Sequence, residues 1–214
     1  MYSLIVGSLR RPRRLFSAAI LVLLIAGPAL AQDLRSGALP RGTWDLGVYA
    51  GGGTGLFAAS NTQFFLAGGR AGRVLTRDHL RGWVRGNFEY AAEFMPVFLV
   101  FQRGQTVYGG SFSPVIGKWN FTGNSRITPY MLLSAGGIVS ASNVPPGKTS
   151  RVNFMPGGSV GVHIFTRRNH TRALTLETRW VHISNANLGA ENPQLVSNFL
   201  FTVGYTWFKA RSPD

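Results

Sequence analysis

Beyond residue 31 the chain has no apolar run of the roughly 20 residues that a helix needs to cross a bilayer. It carries instead a series of shorter, aromatic-rich runs separated by Gly, Pro, Asn and basic clusters. Eight can be marked, at 43–53, 63–75, 83–95, 108–121, 128–138, 153–165, 172–184 and 198–208. Segments of about ten residues with alternating hydrophobicity, punctuated by turn residues, are the pattern of a transmembrane β-barrel, and bacterial single-chain barrels have even strand numbers from eight upward. The expectation is an all-β fold: an eight-stranded antiparallel transmembrane β-barrel of the outer membrane. No change in composition divides the runs, so residues 32–214 read as one domain with strands over about 43–208.

Alternation supports this reading, because successive side chains in a strand point to opposite faces. In 172–184 the even positions are Leu174, Leu176, Thr178, Trp180, His182 and Ser184, and the odd ones include Glu177 and Arg179. In 83–95 Asn87, Glu89 and Glu93 oppose Phe88, Tyr90 and Phe94. In the last run Phe199, Phe201, Val203, Tyr205 and Trp207 share one face. In the first, Trp44, Leu46 and Val48 oppose Asp45. The run around 130–138 alternates poorly, and its faces stay unassigned.

The aromatic face suits lipid and its interfacial girdles. The polar face then lines a packed lumen. Four of the eight acids, Asp45, Glu89, Glu93 and Glu177, fall on it, with Arg85 and Arg179 expected to neutralise them. Only 14% of the residues are charged, against about 25% in soluble domains.

Residues 1–31 read as a cleaved signal peptide. A basic start containing Arg10, Arg11, Arg13 and Arg14 precedes a short apolar stretch and the Ala29-Leu30-Ala31 site. With the mature N-terminus in the periplasm, the turns at 76–81, 122–127 and 166–171 are periplasmic, and the longer connections at 54–62, 96–107, 139–152 and 185–197 face outward. The net charge of +14 does not indicate nucleic acid, because the cations are spread over predicted turns instead of one module face. Arg103, Lys148 and Arg151 in the outer connections could meet the phosphates of anionic lipid. The chain has no cysteine, which excludes disulfides and thiolate chemistry.

The segment from Arg179 to Asn187 carries the chemistry. His182 and Ser184 are two residues apart on a strand and share a face, in line with Trp180 on the lipid side. A serine hydroxyl needs a neighbouring base to become a nucleophile, and histidine supplies one near neutral pH. An amide such as Asn185 could hold an oxyanion.

The string Arg179-Trp180-Val181-His182-Ile183-Ser184-Asn185-Ala186, followed by a loop and an aromatic last strand, resembles the PagL-type lipid A 3-O-deacylases, also called the acyloxyacyl hydrolase family. The resemblance is clearest over 174–208. It implies an eight-stranded outer-membrane barrel that hydrolyses the 3-O-linked acyl ester of lipid A without a metal. His182 would be the base, Ser184 the nucleophile and Asn185 a contributor to the oxyanion hole, with Trp180 and Asn187 expected to contact the substrate. The family pattern has an orienting Glu fourteen residues after the histidine. That position is Val196 here, which leaves Glu191, Ser197 and Asn198 as possible orienting groups.

No cofactor and no metal are expected. His163 shares parity with Asn153 and Ser159 and should face the lumen, while His79 and His170 fall in turns. The partner expected is lipid A, or lipopolysaccharide, within outer-membrane lipid. The alternative is a non-catalytic structural or adhesive barrel of the same fold. A channel ranks last, because side chains fill the interior of an eight-stranded barrel.

Overall fold

The structure, a computed structural model, describes residues 39–56, 61–102, 104–124, 126–144, 149–166, 169–189, 191 and 195–210, with 195 and 196 by backbone alone. The signal peptide read at 1–31 lies outside the described residues, as do Arg103 and Lys148.

The strands are β1 (Trp44–Gly55), β2 (Gln63–Val74), β3 (Gly86–Gln102), β4 (Gln105–Phe121), β5 (Ile127–Val144), β6 (Ser150–Phe154), β7 (Gly157–Phe165), β8 (Arg172–Ile183) and β9 (Leu195–Lys209). Each pairs antiparallel with its neighbours in the order β4-β3-β2-β1-β9-β8-β7-β5-β6, and β4–β5 pairing closes the ring. β6 and β7 pair with successive stretches of β5. They form one stave interrupted at Met155-Pro156, so the barrel has eight staves. Closure leaves no unpaired edge, which is the condition for a sheet to reside in hydrocarbon.

Both faces follow the alternation. Trp44, Leu46, Val48, Phe94, Phe199 and Phe201 are exposed on the outer wall, while Asp45, Asn87, Glu89, Glu93, Glu177 and Arg179 are buried. β5, unreadable from sequence, keeps the same parity: Thr128, Tyr130, Leu132 and Ile138 are buried, and Met131, Leu133 and Val139 are exposed. Its pattern was obscured because three of these inward residues are apolar or aromatic.

Three expectations are corrected. Trp83 is not in a strand. It belongs to a 3-10 turn (Gly82–Val84), and β3 begins at Gly86. Strand also replaces most of the expected outer connections 96–107 and 139–152. β3 and β4 meet with Gln102 opposite Gln105, around Gly104 at φ 86°, and β5 runs on to Val144. Pro96 and Gly104 resembled loop punctuation, but the register shift between Met95 and Phe98 accommodates the proline. The connection between β2 and β3 is consequently longer than that between β3 and β4, against the expected asymmetry. Finally, Arg85 does not neutralise a lumen acid, because its guanidinium pairs with Asp78 (3.0 Å) at the rim.

The lumen is filled in layers. At the end away from the start of β1 lies an apolar cluster that includes Phe64, Leu66, Met95, Phe98, Ile138 and Leu200. Below it Arg70 and Arg179 each pair with both Glu93 and Glu177. Tyr130 donates its hydroxyl to Glu177 Oε2 (2.6 Å). Only glycine at 161 leaves room for that ring, since an added Cβ would collide with it. Next, Lys118 Nζ contacts Asp45 (2.6 Å), Glu89 (3.2 Å) and His163 Nε2 (3.0 Å). His163 therefore faces the lumen, as its parity indicated. The layer at the start of β1 and the end of β9 contains Leu39, Val74, Phe165 and Phe208. Buried charges are tolerated here because each meets opposite charge and further hydrogen bonds.

Candidate active site

β8 carries His182, and Ser184 just past its end, to the rim opposite the start of β1 and the end of β9. Two registers fix their direction. Gly157 pairs with Val181, and Ser184 exchanges backbone hydrogen bonds with Phe154 (2.7 and 3.1 Å). His182 lies between these pairs and donates its N–H to Pro156 O (2.9 Å). Paired residues on adjacent strands share a face. Ser184 therefore points outward with Phe154, and His182 outward with Trp180. Phe154 and Trp180 are 52% and 40% exposed, so an apolar wall open to lipid borders the His/Ser pair.

Asn185 belongs to the other face and is buried. Its Nδ2 donates to Glu191 O (2.8 Å), and its Oδ1 accepts the Asn187 N–H (3.0 Å). Leu188 N–H returns to Asn185 O (3.0 Å). The tight turn so closed places Ala186 and Asn187 at φ 52° and 61°, a left-handed conformation that costs a non-glycine residue about 1–2 kcal/mol. The Ala186 N–H meets Ser184 Oγ at 3.1 Å. Sequence reasoning expected backbone N–H groups near Asn185 at the oxyanion but could not single out this one, since the positive-φ turn sets its direction.

The three orienting candidates lie in different places. Ser197 is on β9 at a register shift, where Val181 pairs with Asn198 and Ile183 with Leu195. Val196 and Ser197 together therefore lie opposite His182. Ser197 Oγ accepts the Trp180 indole N–H (2.9 Å), which puts it on the outer wall. Asn198 is buried and donates to Val181 O (3.1 Å) on the lumen side. Glu191 touches the turn through its backbone carbonyl. Asn187 is exposed at the tip of the turn. Among the described residues no group of three His, Asp or Glu side chains could hold a metal ion.

A closed barrel with a filled lumen and an aromatic outer wall defines a class: the outer-membrane β-barrels. A family model described as lipid A 3-O-deacylase (PagL) matches residues 72–205, well over half of the chain, and the chain belongs to this family.

Solved structures share the fold at low identity. The N-terminal β-barrel domain of Pseudomonas aeruginosa OprF is 12% identical with a TM-score of 0.52, covering 79% of this chain and 98% of that one. Neisserial surface protein A is 13% identical with a TM-score of 0.52, covering 77% and 96%. The outer-membrane enzyme PagL is 15% identical with a TM-score of 0.45, covering 76% and 98%. No curated protein matches the chain. The protein is an outer-membrane barrel of a deacylase family.

Proposed function

We propose that this protein hydrolyses the 3-O-linked acyl ester of lipid A at His182 and Ser184. The observation that carries the reading is that both side chains lie on the lipid-facing wall, the surface a membrane-embedded ester can reach. His182 takes the proton of Ser184, whose Oγ attacks the ester carbonyl. The carbonyl oxygen becomes an oxyanion, and the Ala186 N–H, already directed at Ser184 Oγ, is a donor for it. Asn185 supports the oxyanion site by holding the turn that presents this N–H. As the tetrahedral intermediate collapses, His182 returns the proton to the sugar oxygen. Water, deprotonated by the same imidazole, then releases the fatty acid from Ser184.

Ser197 takes the orienting role that a glutamate has in the family pattern. It lies opposite His182 and is steadied by the Trp180 indole N–H. Trp180 and Asn187 flank the reacting ester, one on the apolar wall and one at the turn.

The test is mass spectrometry of lipid A from cells expressing the wild type, Ser184→Ala or His182→Ala at matched levels of folded barrel. Loss of one hydroxyacyl chain with the wild type alone is the expected result. Intact lipid A in all three, with substrate present, overturns the reading and favours a non-catalytic barrel.

A further inference from the structure

On the outer wall of β2, above Arg73, the outward positions are Ala71 and Gly69. The register sets Ala92 of β3 beside Ala71 and Leu46 of β1 on its other flank. Small side chains thus floor a groove of about 390 Å³, walled by Leu46, Phe94 and Trp207. The groove lies toward the rim at which β1 begins and β9 ends.

One row closer to that rim, the register aligns Arg73, Trp44 and Lys209 across β2, β1 and β9. The Arg73 guanidinium lies 5.4 Å from the Trp44 ring centroid, and both cations are exposed. Arg172, also exposed, is opposite Trp207 in the neighbouring row. The carboxylates of β1 and β8, Asp45 and Glu177, are buried in the lumen against Lys118, Arg70 and Arg179. Among the described residues no ion pair involves Arg73, Lys209 or Arg172.

We propose that this strip binds one anionic phospholipid, with its phosphate between Arg73 and Lys209 and an acyl chain in the groove floored by Gly69, Ala71 and Ala92. Each half matches one half of the ligand. Cations at the bilayer surface attract anionic headgroups, long basic side chains extend toward the headgroup level, and tryptophan favours that depth. The groove removes hydrocarbon from an otherwise convex wall and lies directly above the cations. With the rim at the start of β1 and the end of β9 in the periplasm, the site faces the phospholipid leaflet. It is at the opposite end of the barrel from His182 and Ser184, so its test is independent of the proposed hydrolysis.

The test is native mass spectrometry of the purified barrel in nonionic detergent, titrated in turn with phosphatidylglycerol, phosphatidylethanolamine, inorganic phosphate and lipid A. One phosphatidylglycerol is expected to remain bound where phosphatidylethanolamine and phosphate do not. The double variant Arg73→Gln/Lys209→Gln should weaken that binding about thirtyfold, at about 1 kcal/mol per cation. Ala71→Phe, which fills the groove and keeps the charges, should weaken it too. Ala92→Val replaces it if Ala71→Phe fails the heat-shifted gel mobility test for folded barrel. Equal retention of phosphatidylglycerol and phosphatidylethanolamine overturns the proposal, as does unchanged retention in folded variants. Phosphate binding alone, or displacement of phosphatidylglycerol by lipid A through the same cations, also overturns it.

Discussion

Ser184 and Phe154 are bound across adjacent staves by two backbone hydrogen bonds, of 2.7 and 3.1 Å. This pairing sets the direction of the Ser184 side chain without using its hydroxyl. Ser184→Ala should therefore leave the barrel folded while lowering fatty-acid release by about a thousandfold or more, as loss of a catalytic serine does elsewhere. Initial rates on purified lipid A, alongside heat-shifted gel mobility, check both halves of this expectation.

Trp180 donates its indole N–H to Ser197 (2.9 Å), the residue proposed to orient His182. Removing a neutral hydrogen bond costs about 1 kcal/mol, or roughly fivefold in rate where the bond aligns a catalytic group. Trp180→Phe removes the indole donor and Ser197→Ala the acceptor. Each should lower kcat with little change in KM, and the double variant should be no worse than Ser197→Ala alone. Steady-state kinetics on the four proteins is the measurement; independent, multiplying effects would remove Ser197 from the orienting role.

The lumen network predicts a stability effect away from the site. Arg179→Met strips Glu93 and Glu177 of a shared partner. Leaving buried charge uncompensated costs about 3–5 kcal/mol. Urea unfolding followed by tryptophan fluorescence should show a loss of that size. Arg179→Met/Glu93→Gln should lose less than the two single changes added together, because the surviving Arg70–Glu177 pair is balanced.

The same packing bears on conductance. The apolar layer around Phe98 and Leu200 and the ionic layers beneath it occupy successive levels of the interior. Planar bilayers containing the purified protein should show no steady ionic current. A stable open level would contradict the filled lumen.

Much of this was legible in the sequence because alternation in a closed barrel is a strict geometric rule. The outward parity of Trp180, His182 and Ser184 followed from counting residues, as did the inward parity of Glu177 and Arg179. The lengths of β3, β4 and β5 were less legible, since Pro96 and Gly104 resemble loop punctuation whether or not pairing continues through them. Charge partners were read only in part. Arg179 neutralises Glu93 and Glu177 as expected, but Arg70 and Lys118 were overlooked although both interrupt apolar runs on the polar parity. Which cation meets which acid depends on stagger between distant staves: Lys118 and Asp45 are 73 residues apart, and no local pattern records that distance. Ser197 was named beside Glu191 and Asn198, but which of the three lies across from His182 could not be read, because the register shift there makes spacing along the chain a poor guide to position across it.

The outward direction of His182 and Ser184 also changes what concentration means for any reaction at this pair. A side chain on the wall of a sealed barrel meets molecules that travel within the leaflet. Encounter is then a two-dimensional search governed by lateral diffusion. Saturation should follow the mole fraction of substrate in the membrane, and added inert lipid should inhibit by surface dilution even when the amount of substrate in the suspension is unchanged.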